Sequence, residues 1–438
     1  MSARRIWPRL AWWGVLLWVA RAPIGGTVVR AAPVDLAIEH AHIHDGEGKS
    51  WEDGTLVVSK GRILAVGPAG EVAIPDGARR IDGRGKVVTP GLIDAESSVG
   101  LADVFAVQSS VETRLDESYG PIRAAFSVLD GLNPRSVVIP VTRLEGVTST
   151  LVVPTQGLVS GSAAFVRLAG RRVPDMTLAA PAAMVASVAE GGRQAAFGAR
   201  GGVFLRLREL MDDVRQYARR RQDFERNQMR KVAASRLDLE ALIPVVERRL
   251  PLLVEVARAS DILAVLRLAE EEKIRVILAG CEEGWLVADA LAEARIPVIV
   301  SALSNLPAAF ESLAARLENP ALLAAAGVPL ILSPRGRGDH TSRTLRLEAG
   351  NAVANGLPWA AALAAITATP ARTFGLEREV GTLLRGRSAD LVIWSGDPFE
   401  PLTRPLEVFI AGEPQPLVTR QTKLRDRYRV LRQHRPAP

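Results

Sequence analysis

The stretch that most constrains this chain is Val87-Val88-Thr89-Pro90-Gly91-Leu92-Ile93-Asp94, continuing into Ala95-Glu96-Ser97-Ser98. β-branched and apolar residues enter through a Pro-Gly break and leave into small polar residues, which describes a buried strand. Further apolar strands of this kind recur at 149–153, 251–256, 275–279, 297–300 and 328–333. Helical patterns at 260–272, 283–294 and 357–367 alternate with them, and Asn319-Pro320 opens a shorter one. Strands alternating with helices indicate an α/β architecture with a parallel sheet that can close into a barrel. A chain of 438 residues that is 48% hydrophobic can bury such a core and is too long for one small domain.

Charge narrows the function classes. The net charge of +7 has a local origin, because the first 31 residues carry Arg4, Arg5, Arg9, Arg21 and Arg30 and no acid. Without them 50 basic residues face 48 acidic ones, a balance that argues against nucleic-acid binding. Those 31 residues also hold an apolar run at 10–20 and end in small residues before Ala32. This is the layout of a secretory signal cut after Ala31, and the run is short for a bilayer span. The expectation is an exported protein of the bacterial periplasm with no stable membrane span after cleavage; an uncleaved anchor is the lesser alternative. Arg4-Arg5 alone is a weak twin-arginine signal. The single Cys281 excludes an intrachain disulfide and is expected to be buried and inert.

Short strands and tight turns fill 34–88, and a second β-rich block covers 381–383, 389–394 and 407–412. Together with Gly386-Arg387-Ser388-Ala389-Asp390-Leu391-Val392-Ile393-Trp394 and the phrase around Asp94, they resemble the amidohydrolase superfamily over nearly the whole mature chain. Residues 345–359, 367–372 and 420–429 resemble its exported, imidazolonepropionase-like bacterial group. The resemblance implies a (β/α)8 TIM-like barrel over 91–375 and a small composite β-sandwich from 32–90 and 376–413. A signal peptide (1–31) precedes them and a basic tail (414–438) follows.

It also implies a divalent metal such as zinc at the C-terminal mouth of the barrel, held by histidines from strands one, five and six and an aspartate from strand eight. Imidazoles and carboxylates are what such an ion requires. The histidines of this chain are His40, His42, His44, His340 and His434, none at those strand ends. Strand one offers Glu96 and Ser98, strand five Glu255, strand six Gly280, and strand eight Arg335, with Asp339 or His340 in reach through a bulge. On this basis no metal or other cofactor is expected.

Two carboxylates and one guanidinium at one mouth suggest an internal ion-pair cluster, since a buried charge is tolerable only when paired. The alternatives are a relaxed, water-exposed pocket, or a carboxylate site for a hard cation built from Glu96, Glu255 and Asp339. His40, His42 and His44 alternate on a strand and are expected to share one face, as surface residues. Residues 206–234 read as a solvated helix laced with i,i+4 pairs, or alternatively as a lid or partner surface.

Three functional readings remain open. The first is a non-catalytic exported subunit or scaffold, paired with itself or with an active amidohydrolase paralogue. The second is a hydrolase of C–N bonds in small or cyclic amides with a rearranged or metal-free site, in which Glu96 and Glu255 could act as an acid pair. The third is a small-molecule binding protein. Fold alone does not choose among them.

Overall fold

The computed structural model describes residues 35–196, 198–304, 306–335 and 340–433. The expected export leader lies outside the described residues, as do Asp339 and His434. Among the described residues no helix is long and apolar enough to cross a membrane.

Both ends of the described chain build one sheet. Strands β1 (Leu36–His44), β2 (Ser50–Ser59), β3 (Arg62–Pro68), β4 (Arg79–Asp82) and β5 (Val87–Pro90) come from the front, with β6 (Leu92–Ser97) next in the chain. β14 (Leu391–Trp394), β15 (Pro405–Ile410) and β16 (Glu413–Pro414) come from the back. The order is β16-β15-β14-β5-β1-β2-β3, with β4 beside β1. The seam is antiparallel, Leu391 against Pro90 and Ile393 against Val88, over a core of Leu36, Ile38, Ile43, Leu56, Val88, Leu391 and Phe409. Trp394 is fully buried and its indole nitrogen donates to Thr89 Oγ1 at 2.9 Å. A side chain at Gly146 would collide with that indole, so close approach dictates glycine there.

The second sheet runs β13 to β6 in unbroken sequence order. It comprises β6, β7 (Val147–Val152), β8 (Val159–Arg167), β9 (Thr177–Ser187), β10 (Leu252–Val256), β11 (Val276–Gly280), β12 (Val298–Val300) and β13 (Leu330–Leu332). It is a nearly closed eight-stranded barrel. Its interior is filled by Ile93, Leu151, Phe165, Leu253, Ile277, Ile299 and Ile331, with Ala371, Leu376 and Val380 packed against them. The residues that alternate with these, among them Leu252, Val254, Leu278 and Val300, pack outward against the helices.

The barrel departs from eight parallel strands at one place. β8 is antiparallel to both β7 and β9. Six residues (153–158) join β7 to β8, and so short a connection makes a hairpin, because a parallel crossover needs a dozen residues or more.

The charged segment also differs from its expectation as a solvated helix laced with i,i+4 pairs. The helix Arg200–Arg219 buries Val203, Leu207, Leu210, Val214 and Tyr217, which makes it a barrel helix. It ends at Arg219, and Ala233 N donates to Asp213 Oδ2 at 2.6 Å, folding 226–234 back over it. Its main ion pairs reach the helix Ala259–Glu271 and its end, Arg208 to Glu271 and Arg215 to Glu272, because packed neighbours offer partners as near as its own next turn.

The three N-terminal histidines do not form one row. The β1–β2 register breaks on either side of Ala41, and His40 sits at φ 57° in the resulting bulge. His40 faces Asp53 at 2.9 Å, whereas the His42 and His44 rings lie 4.2 Å apart beside Trp359.

Candidate functional site at the barrel mouth

The strand ends deliver their side chains to one place. Leu253 and Glu255 share a face of β10, so the glutamate two residues after the barrel-filling leucine points into the mouth. On β6 a register irregularity between Asp94 and Ser97 puts both Glu96 and Ser97 on the cavity wall. Beyond β13, Arg335 turns at φ 45° and its amide donates to Ser333 Oγ at 3.3 Å.

Arg335 is the centre of the mouth. Its side chain is 9% exposed, and its Nε donates to Glu96 Oε2 at 2.7 Å. Nη2 is 3.7 Å from Glu255 Oε1, and Nη1 is 3.4 Å from Glu282 Oε1. Burial pushes the guanidinium down, but Glu96, Glu282 and Glu255 outweigh it and hold Arg335 above its ordinary value. Glu282 is raised too, but by burial, which outweighs the pull of Arg335 on its carboxyl. Glu282 was not legible beforehand, since it stands beyond the strand end, where the chain turns through Gly280 (φ 104°) and Cys281 (φ 48°).

Gly280 makes that turn possible. A β-carbon there would stand 2.6 Å from Val256 O and 2.9 Å from Arg335 Nη1. Cys281 is fully buried, and burial pushes its thiol well above the usual range. Ser98 lines the cavity, and its carbonyl accepts from the Leu101 and Ala102 amides. His340 lies at the surface and does not line the cavity.

Behind the cluster is a polar layer. Ser333 Oγ donates to Asp94 Oδ1 at 2.6 Å, and burial raises the Asp94 carboxyl to about 6. Glu348, raised by burial to about 7, accepts from Ser301 Oγ and from the Leu303 amide. Asp94 therefore anchors β6 to β13 across the barrel seam, where no strand ladder forms.

These donors do not fit a divalent ion. Three carboxylates converge, but on a fixed guanidinium, whose charge repels a metal where the ligands would meet. Among the described residues no group of three or more His, Cys, Asp or Glu side chains is placed to hold one. In front of the cluster opens a cavity of about 610 Å³, lined by Glu96, Ser98, Glu255 and Arg335 on the barrel side. Arg114, Arg123, Gln156 and Ser187 line its other walls. Its size suits a small molecule.

Comparison with known proteins gives this geometry a family. The profile of the Amidohydrolase family matches residues 254–421. The amidohydrolase tasK of Hapsidospora irregularis is 25% identical over 405 residues, 84% of this chain; the chain spans 40% of that protein's length. An imidazolonepropionase of Rhizorhabdus wittichii is 26% identical over 396 residues, covering 84% of this chain and 93% of its own. The structure of an amidohydrolase from Thermotoga maritima superposes with a TM-score of 0.78 at 25% identity, over 86% of this chain and 99% of that one. The barrel, the composite sheet and these relatives agree, and the chain is similar to the amidohydrolase superfamily over most of its length.

Proposed function

We propose that this protein is a non-catalytic member of that superfamily, in which an ion-pair cluster stands where relatives would carry out metal-dependent hydrolysis of C–N bonds. The observation that carries the reading is Arg335, held by Glu96, Glu255 and Glu282 at the meeting point of the strand ends. A guanidinium keeps its proton at any pH a protein survives, so it accepts none from a water, and three carboxylates already offset its charge. Among the described residues no imidazole lines the cavity to serve as a general base. The role we assign is that of an exported subunit or scaffold whose barrel is kept intact by the cluster. The export part rests on the N-terminal pattern alone.

The test is an assay of the full chain against small linear and cyclic amides, with added zinc and with chelator. The expected result is background turnover in both. Turnover that zinc restores and chelator abolishes, or metal-independent turnover lost in Glu96→Gln, contradicts the reading.

A second reading is favoured by the cavity itself. Its volume of about 610 Å³ and its mixed polar and apolar walls are those of a small-molecule site. Binding without turnover is compatible with the loss of chemistry.

A further inference from the structure

The cavity has a second group of charges that the ion-pair cluster does not use. Arg114 and Arg123 stand on the long connection between β6 and β7, which arches over the mouth. This connection is fastened to the barrel. The Arg123 amide donates to Val159 O at 2.9 Å, and Ile122 and Ser127 form bridges to Val159 and Ser162 of β8. Arg123 is therefore a fixed part of the wall.

Arg123 is only 3% exposed. Its Nε donates to Gly120 O at 2.8 Å and its Nη1 to Leu115 O at 2.9 Å. Both partners are neutral carbonyls, and no described carboxylate lies within ion-pair distance. Nη2 makes no hydrogen bond to a described residue, and Arg123 lines the cavity. Arg114 likewise pairs with no described acid; its Nη2 donates to the neutral amide oxygen of Gln108 at 2.9 Å. Asp116 and Glu117 are neighbours on the same connection. Asp116 accepts from Ser118, and Glu117 is exposed at the rim.

The exposed Asp116 feels the Arg123 charge, but from beyond ion-pair distance; a buried guanidinium held by neutral carbonyls is costly, and an anion at contact distance relieves that cost. Ser187 belongs to the adjoining wall, but its Oγ is sealed from solvent and has no partner. The lining also has apolar members, among them Phe105, Val153, Val185 and Leu253. Arg335 itself contributes no free charge, because three carboxylates already hold it.

We propose that the cavity binds a small organic acid, with its carboxylate at Arg123 and Arg114 and its apolar body against Val153, Val185 and Leu253. This assignment rests on the reading of the cavity as a small-molecule site and names the chemistry of the occupant. Charged hydrogen bonds to a carboxylate supply the direct ion pair that Arg123 lacks, and the apolar part of the wall selects against a bare inorganic anion.

The test is calorimetric titration of the full chain with N-acetyl-leucine, with N-acetyl-leucinamide as a neutral partner of the same shape, and with inorganic phosphate. The acid is expected to bind at least about tenfold more tightly than the amide or phosphate. Arg114→Gln, at a half-exposed site, is expected to remove most of that preference while leaving the thermal midpoint unchanged. Arg123→Lys is expected to weaken the acid and spare the amide. Equal binding of acid and amide overturns the organic-acid assignment and leaves the small-molecule reading standing. Phosphate binding as tight as the acid's overturns the assignment in favour of a bare anion site. If none of the three binds, both readings fail.

Discussion

Arg335 Nε donates to Glu96 Oε2 at 2.7 Å although 239 positions separate the two residues in the chain. The contact joins the first and last strands of the barrel at their C-terminal ends, where β6 and β13 form no ladder. Its energetic weight follows from burial, since a pair this enclosed is screened little by water or salt.

Replacing Arg335 with Met keeps the side-chain length and removes the charge, leaving Glu96, Glu255 and Glu282 facing one another. The expected loss is about 3–5 kcal/mol at neutral pH. Urea unfolding measures it, and the deficit shrinks as pH falls and the carboxylates take up protons. Arg335→Lys, which keeps the charge and loses the fork, falls between.

Restoring a histidine at the end of β11 does not restore a metal site. Gly280 sits at φ 104° with Val256 O and Arg335 Nη1 against the position of a β-carbon. Gly280→His and Gly280→Ala are both expected to destabilise by at least about 2 kcal/mol, and zinc is not expected to recover the loss. Thermal unfolding with and without zinc checks this.

Much of this site was legible in the sequence, for a definite reason. Glu96, Glu255 and Arg335 stand at fixed offsets from apolar strands, and strand ends of a barrel converge on one mouth. Glu282 escaped because it lies past a turn through two left-handed residues, which strand periodicity does not describe; the Gly280-Cys281 pair after the strand was the available signal. The antiparallel β8 escaped because eight parallel strands were expected, although Pro154-Thr155-Gln156-Gly157 is a turn signal directly after β7. Arg123 left no signal, since a buried arginine in a loop shows no periodicity.

Glu348 and Asp94 give the fold a pH dependence of known sign. Burial raises their carboxyls to about 7 and about 6, above the unfolded values, so each binds its proton more tightly in the folded state. Their stabilising contribution is complete below pH 4 and is lost as pH rises through 6 for Asp94 and 7 for Glu348. Glu348→Gln removes the larger part. Relative to the native chain, the variant is expected to gain about 3 kcal/mol between pH 5 and pH 8, read from unfolding at each pH.

Asp213 is fully buried on the helix Arg200–Arg219, pairs with Arg230 at 2.7 Å and accepts from the Ala233 amide. Asp213→Ala removes the link that folds residues 226–234 onto that helix. The expected cost is about 2–4 kcal/mol, accompanied by new proteolytic cleavage confined to 220–234, which limited proteolysis maps directly.

Metal content tests the central claim most directly. The full chain, purified from cells grown with added zinc and manganese, is analysed by plasma mass spectrometry and then titrated with each ion. With Arg335 among the carboxylates of the mouth, we expect divalent metal far below one ion per chain and no saturable uptake. One zinc or manganese ion per chain, lost in Glu96→Gln or Glu255→Gln, contradicts the account.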